Sequence, residues 1–430
     1  MRFPRPALSW ASVALAVTSS SALAQESGTQ IYGTLNVDVE SVEARDATPA
    51  GALPAGFLGA TPTGVNVPRR TRVSSNSSNL GFRGTERISS TLSALFQIES
   101  AVNVDAGNTN IASRNTAVGL AGPWGSFRAG QWDTPYKTLS GAVDPMYFTG
   151  ITYTGALIGT PGFGVGPTTN GVPLTSGDGR TFAAGANASF ERRQGNSLQY
   201  WSPSFSGLAF RAAYSVDESR TARSAGVTQV DPTIASASLE YDGGLLYVGY
   251  AYERHSDYFG LDALVPATQA VTVAATNGSS ASSRDTGEKL VARVKLGGTQ
   301  LGVMGERLRY EKSQSNAVPG WFRAYRRNAA AITLVQKVGA AGTLRGLVGK
   351  AWGGSCERFD GSACDSANLG ARQLSLGYSH TFSKRTDGYL FYTRVANESR
   401  ASYQFANGAG LGAAAGSTSI GYLLGIRHTF

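Results

Sequence analysis

The side chains best suited to chemistry in this chain are charged groups, because the usual catalytic patterns do not occur. The three histidines, His255, His380 and His428, are far apart in the sequence, and no serine-bearing motif accompanies them, so a hydrolytic triad is not indicated. The glycine-rich run at 162–166 and the Gly–Lys pair at 349–350 lack the context of a phosphate-binding loop. We therefore expect no catalytic residue, no metal site and no cofactor.

Arginine and aspartate side chains are the remaining candidates. The basic ones are Arg83, Arg114, Arg128 and Arg193, and the acidic ones are Asp133 and Asp144. Guanidinium and carboxylate groups that face one another across a narrow aqueous space set up a field that orients dipolar solutes, and an excess of arginine favours anions. Whether these groups face one another depends on the elements that carry them.

The last stretch of the chain, 417–430, has the two-residue period that is typical of a β-strand. The residues of one parity are largely apolar or aromatic, namely Ile420, Tyr422, Leu424, Ile426, His428 and Phe430. An apolar strand edge at the end of a chain invites aggregation unless it is paired. The segment 30–40 alternates in the same way, and we predict that it pairs with the last strand to close a barrel.

Similar segments recur along the whole chain after residue 24. The sixteen predicted strands are 30–40, 78–87, 91–102, 115–121, 125–131, 196–201, 207–216, 233–242, 245–254, 288–297, 299–311, 326–338, 342–353, 371–382, 386–397 and 418–430. Long gaps between them, such as 41–77 and 132–195, alternate with short ones, such as 122–124. This alternation predicts an antiparallel up-and-down transmembrane barrel with long external loops and short periplasmic turns. Closure is required because every backbone amide in a bilayer needs a partner.

The start of the chain indicates export. Residues 1–24 contain a basic segment, a short apolar run and an A-x-A-type cleavage site, so we predict a signal peptide followed by one barrel domain at 25–430. A transmembrane helix is the alternative, but the apolar run is short and interrupted. No later segment offers about 18 consecutive apolar residues. The net charge of +9 is compatible with nucleic-acid binding, which export argues against.

Cys356 and Cys364 are the two cysteines of the chain, and they lie in a polar, glycine-rich stretch. In an exported protein such a pair is expected to form a disulfide that clamps a loop. Metal binding would require further cysteine or histidine residues nearby, and the sequence has none there.

Several motifs resemble those of the general porins of β-proteobacteria. They are NLGFRGTE at 79–86, LFQIES at 95–100, GSF at 125–127, GQ at 130–131, the strand around 193–203, SKRT at 383–386 and GIRHTF at 425–430. The resemblance extends over the mature chain and keeps the family's order. It implies a sixteen-stranded trimeric diffusion channel for small hydrophilic solutes in the outer membrane of a Gram-negative bacterium, with the third loop folded into the lumen. The terminal aromatic residue resembles the signal that the barrel-assembly machinery recognises.

Parity and the resemblance together give an expected pore constriction. Alternation directs Arg83 and Arg128 toward the lumen, while Arg114 and Arg193 directly precede strands near the level at which the third loop should fold inward. These four arginines form the expected basic wall, and the third loop (132–195) would supply opposing acids.

Those opposing acids are Asp133 and Asp144. Because the arginines are in excess over these acids, an anion-leaning channel is expected. Two alternatives stay open. Some arginines could lie at external rims and bind lipopolysaccharide phosphates. Glu86, Glu99 and Asp38 could be lumen acids that pair with the arginines and reduce the anion preference. One departure from the family pattern is Asn79, where the family usually carries arginine.

Two other functions are compatible with a barrel of this kind. One is a monomeric, plugged barrel that serves as an adhesin or structural protein. The other is a substrate-specific channel in which the third loop forms a dedicated site.

Overall fold

The computed structural model describes residues 28–54, 56–163, 188–216, 231–265, 281–314, 319–406 and 410–430, so the predicted signal peptide lies outside the described residues. These ranges contain strands β1 (Gly28–Arg45), β2 (Val67–Ser75), β3 (Asn79–Arg87), β4 (Ser93–Asn103), β5 (Asn108–Asn110), β6 (Thr116–Gly122), β7 (Gly125–Asp133), β8 (Arg193–Trp201), β9 (Leu208–Val216), β10 (Thr233–Asp242), β11 (Leu246–Ser256), β12 (Ala281–Leu296), β13 (Thr299–Gln314), β14 (Phe322–Val338), β15 (Gly342–Ala351), β16 (Ser355–Arg358), β17 (Ala371–Ser383), β18 (Thr386–Asn397) and β19 (Thr418–Thr429). Helix α1 (Pro135–Val143) and two short 3-10 helices, Thr154–Ala156 and Gly260–Ala263, complete the described elements.

The strands form one closed antiparallel sheet. Neighbours in sequence pair with one another, and β1 pairs with β19 from Thr34 opposite Thr429 to Arg45 opposite Thr418. Strands β2 and β3 both pair with β1 and act as one interrupted span, while β5 and β16 are short additions next to β4 and β14. The described ranges therefore give sixteen spans, and the predicted sixteen-stranded antiparallel barrel is confirmed.

The first long loop is shorter than the sequence predicts. The expected gap at 41–77 reduces to 46–66, because β1 continues to Arg45 and β2 begins at Val67. The interruption between β2 and β3 keeps its hydrogen bonds: the Asn76 amide donates to the Asn36 carbonyl (2.9 Å), and the Asn36 amide donates to the Ser78 hydroxyl (2.9 Å). The arginine-rich sequence of β2 hides the alternation that reveals the other strands.

The two faces of the barrel differ as a membrane requires. In β8, Leu198 is 65% exposed on the outer face, whereas its neighbours Ser197 and Gln199 are buried inside. Outward aromatic rings gather near the short turns, where Phe127 packs against Trp124 and Tyr200 at centroid distances of 5.5 and 4.9 Å. Such belts lie at membrane interfaces. Among the described residues, no helix has the length and apolarity needed to cross a membrane.

Three external segments connect β1 to β2, β16 to β17 and β18 to β19. Loop 1 is 46–66, loop 7 is 359–370 and loop 8 is 398–417. Cys356 of β16 and Cys364 of loop 7 are joined by a disulfide, with their Cα atoms 5.8 Å apart. The segment 134–192, called loop 3, folds inside the barrel, and its described parts are 134–163 and 188–192.

Candidate functional site

Loop 3 begins with a helix whose start is fixed locally. Pro135 occupies the first turn of α1, where its missing N–H costs nothing, and the Thr134 hydroxyl accepts the Lys137 amide (3.3 Å). The buried face of the helix carries Tyr136 and Leu139, which pack on the inner wall. The helix therefore directs the loop across the lumen as soon as β7 ends.

A buried ion pair attaches loop 3 to the far wall. Arg327 of β14 and Glu306 of β13 are both fully buried, with Nη2 and Oε1 3.1 Å apart. Glu306 also accepts the Tyr136 hydroxyl (2.7 Å) and the Gly159 amide (2.8 Å), while Arg327 donates to the carbonyl of Leu157 (2.9 Å). Wall and loop thus satisfy each other's polar groups at this position, as buried charges require.

Apolar packing extends this attachment over about half of the inner wall. Side chains of loop 3 such as Leu157 and Phe163 share one core with inward residues of β13 to β18, including Tyr325, Leu347 and Phe391. The inner face of β3, β4 and β6 to β9 instead carries partly exposed charged side chains, such as Glu99 and Arg211, between small or buried polar ones. We call this second half the polar wall.

At the loop end of the polar wall, Asp133 lies between two cations. Its Oδ1 is 2.9 Å from Lys137 Nζ and 3.2 Å from Arg193 Nη2. Asn115 completes the cluster, since its amide group donates to Asp133 (3.1 Å) and its oxygen accepts Arg193 Nε (2.7 Å). Each of the three charged side chains is about one-fifth exposed. Arg193 and Asp133, both predicted site residues, are thus brought together.

Arg114 pairs with a second carboxylate, and Arg83 packs on the tyrosine that shares it. Arg114 Nε donates to Glu99 (2.5 Å), and the Tyr32 hydroxyl donates to the same carboxylate (2.9 Å). The Arg83 guanidinium lies 4.8 Å from the ring centre of Tyr32 and donates to Gln30 (3.0 Å). The sequence left open whether Glu99 pairs with an arginine of the lumen. In the structure it pairs with Arg114 and neutralises that charge.

Arg128 lies apart from the other predicted arginines. Its guanidinium packs on the ring of Trp201 at 3.9 Å and on that of Trp132 at 5.0 Å. Arg211 of β9 packs on Trp201 as well, at 4.4 Å.

Asp144 was expected to face the lumen, but it is buried at the end of α1. It is 5% exposed at the C-terminal end of α1, where its carboxylate accepts the amides of Met146 (2.8 Å) and Thr154 (2.6 Å). Burial raises the pKa of the Asp144 carboxyl, and the two N–H donors oppose this rise. This aspartate shapes the turn after the helix and adds no charge to the polar wall.

Two charged residues at the polar wall were missed in the sequence, Lys137 of α1 and Arg211 of β9. Lys137 stands four residues after Asp133, a spacing at which side chains meet on a helix, but α1 was not predicted. Arg211 has the inward parity of β9, between Phe210 and Ala212, so the alternation alone could have identified it. Within the described ranges, no group of His, Cys, Asp and Glu has the arrangement of a metal site.

Comparison with known proteins agrees with this architecture. A family model described as Gram-negative porin matches residues 11–401. The chain is 27% identical to outer membrane porin protein 32 of Delftia acidovorans over 426 residues, covering 97% of this chain and 99% of that protein. It is 31% identical to the major outer membrane protein P.IA of Neisseria meningitidis serogroup B over 135 residues, which is 30% of this chain and 34% of that protein.

Solved structures show the same fold. An anion-selective porin from Comamonas acidovorans superimposes with a TM-score of 0.63 at 19% identity, covering 94% of this chain and all of the other. The trimer form of OmpT from Vibrio cholerae gives a TM-score of 0.57 at 13% identity, with 94% and 99% coverage.

Proposed function

Because the chain belongs to the Gram-negative porin family, and is thus an outer-membrane diffusion channel, we propose that its polar wall favours small hydrophilic anions. The observation that supports this is the charge balance of the wall. The arginines of the wall, together with Lys137 of α1 beside it, outnumber the carboxylates there, since Asp133 serves two cations and Glu99 serves one. Cations fixed on a narrow lumen with low-dielectric sides attract anions and repel cations.

Planar-bilayer recording tests the proposal. In a salt gradient, the reversal potential of the purified porin should indicate anion preference. Arg114→Gln and Arg193→Gln should each move it toward cation preference, since each removes one positive charge from the wall. Arg254→Gln is the matched control, because Arg254 lies on the exposed outer face of β11. A cation-preferring wild type would contradict the charge argument, and the absence of stepwise conductance would instead favour a plugged barrel.

We further propose a homotrimer in contact with outer-membrane lipid and lipopolysaccharide. One similar fold was solved in a trimer form. Analytical ultracentrifugation in detergent should give a mass of three chains, whereas a monomer mass would contradict the proposal. The assembly machinery is proposed to recognise the terminal strand, and deletion of Phe430 should then reduce the amount of folded barrel in the membrane. We assign the chain no catalytic role.

A further inference from the structure

We propose that Arg128 and Arg211, with Trp201 between their strands, form a binding site for small oxyanions in the lumen. This inference rests on the proposed anion preference and adds a ligand class and a location. The site lies on the side of α1 that faces the short turns, because Trp201 ends β8 immediately before one of them. Short turns are periplasmic in barrels of this kind, so the site faces the periplasmic vestibule.

The geometry gathers two guanidinium groups around one indole. In the sheet register, Trp201 stands opposite Ser126 of β7 on one side and opposite Arg211 of β9 on the other. The guanidinium carbons of Arg128 and Arg211 lie 3.9 and 4.4 Å from the same ring centre. Both arginines point inward, since the residue preceding each, Phe127 or Phe210, is exposed on the outer face.

Among the described residues, the charges of this site are not balanced. Arg211 reaches Glu240 at 3.4 Å and donates to the Thr138 hydroxyl of α1 (3.2 Å). Glu240 in turn also accepts the Tyr247 hydroxyl (2.9 Å).

Arg128 has no carboxylate partner among the described residues, and its Nη1 is buried without a hydrogen-bond acceptor there. A half-buried cation with unused donors beside a second cation is stabilised by an anion that accepts those bonds.

The side-chain chemistry favours an oxyanion over chloride. Guanidinium groups are planar forks whose paired N–H donors match the paired oxygens of carboxylate and phosphate. Stacking on indole rings orients such forks and limits their rotation. Arg128 contacts two of these rings, those of Trp201 and Trp132. The site is thus suited to carboxylate or phosphate groups of small solutes that pass through the channel.

The test measures chloride current through the full-length porin as inorganic phosphate replaces chloride at constant ionic strength. Phosphate should inhibit the chloride current with a saturating dependence on concentration. Arg128→Gln and Arg211→Gln should each raise the half-inhibitory phosphate concentration about tenfold, as expected for loss of a charge-assisted hydrogen bond. Arg254→Gln, which removes an outward arginine, should leave it unchanged.

Two further variants separate a site from general electrostatics. Arg128→Lys keeps the charge and loses the fork, so it should weaken inhibition by phosphate. Trp201→Leu keeps both arginines and should also weaken inhibition, whereas Trp201→Phe should retain most of it. The heat-dependent gel mobility of each variant reports whether its barrel is folded.

A linear, non-saturating response of the folded wild type would overturn the proposal, as would equal inhibition in Arg128→Lys and wild type. Either result leaves the proposed anion preference intact, because the reversal potential measures that preference separately. The same measurement with acetate in place of phosphate shows whether the site binds carboxylate groups, phosphate groups or both. Saturation by either ion supports the site, and saturation by neither overturns it.

Discussion

At the scale of single residues, Asp133 is the carboxylate of the polar wall that contacts two cations. One carboxylate is in contact with both Lys137 and Arg193, so it cancels part of two positive charges. Exposed ion pairs contribute little to stability, but this cluster lies in a confined lumen, where fixed charges act strongly on mobile ions.

We expect Asp133→Asn to increase the anion preference, because it removes a negative charge and leaves both cations in place. The reversal potential in a tenfold salt gradient should shift further toward the anion limit. Asp46→Asn is a matched control: Asp46 is an exposed residue of loop 1 with φ of 61°, a conformation that asparagine tolerates. An unchanged potential in Asp133→Asn would mean that this cluster lies outside the ion path.

Residues that the sequence could identify are those whose direction follows from strand parity. Arg83 and Arg128 were predicted to point inward because their apolar neighbours alternate with them. The partner of each, Tyr32 for one and Trp201 for the other, could not be predicted, since it lies on another strand at a register that the sequence does not state. Asp144 was misplaced because the end of α1 determines its direction.

At the scale of elements, loop 3 is held by contacts that are distant in sequence. Tyr136 and Glu306 are 170 positions apart, and Arg327 reaches Leu157 over the same separation. Most strands could be predicted from local alternation because lipid imposes it on the spans, and β2 is the exception. No local pattern encodes the path of loop 3, which depends on which inner side chains of β13 and β14 it meets.

We expect Glu306→Gln to loosen loop 3. The change leaves the Arg327 charge buried without its counter-charge, and breaking a buried ion pair in this way costs about 3–5 kcal/mol. Single-channel recordings should show more frequent closures and current noise, and proteases should cleave loop 3 faster. Glu288→Gln, on the exposed outer face of β12, is the control. Quiet channels in Glu306→Gln would show that apolar packing alone holds the loop.

At the scale of the molecule, loops 1, 7 and 8 interlock at the external end. The Asp365 carbonyl accepts the Leu58 amide (3.0 Å), and the Arg400 carbonyl accepts the Ala60 amide (3.0 Å). Arg400 Nη2 lies 2.9 Å from the Asp365 carboxylate, and its guanidinium packs on the ring of Phe57 at 4.5 Å. Three segments far apart in the chain therefore form one unit above the lumen.

We expect this unit to loosen in acid. The Ala367 amide and the Arg400 guanidinium lower the pKa of the Asp365 carboxyl, so the group stabilises the folded loops above its ordinary pKa, about 4. That stabilisation is lost as the pH falls through the lowered value. Hydrogen-exchange protection of the Leu58 and Ala60 amides, corrected for intrinsic rates, should decrease between pH 6 and pH 3. Asp365→Asn should have low protection at both pH values; protection equal to that of wild type would exclude this role.

The closing pair of strands makes the order of the strands along the chain less important than their order around the barrel. Gly33 and Phe430 exchange both backbone hydrogen bonds, at 3.2 and 3.1 Å, so the end of β19 lies beside the first part of β1. Adjacent ends are the condition under which circular permutation is tolerated. A permuted chain with β1 fused after β19 and new ends opened in an external loop would retain every strand pair. A chain that begins and ends in any one of the loops would thus form the same barrel.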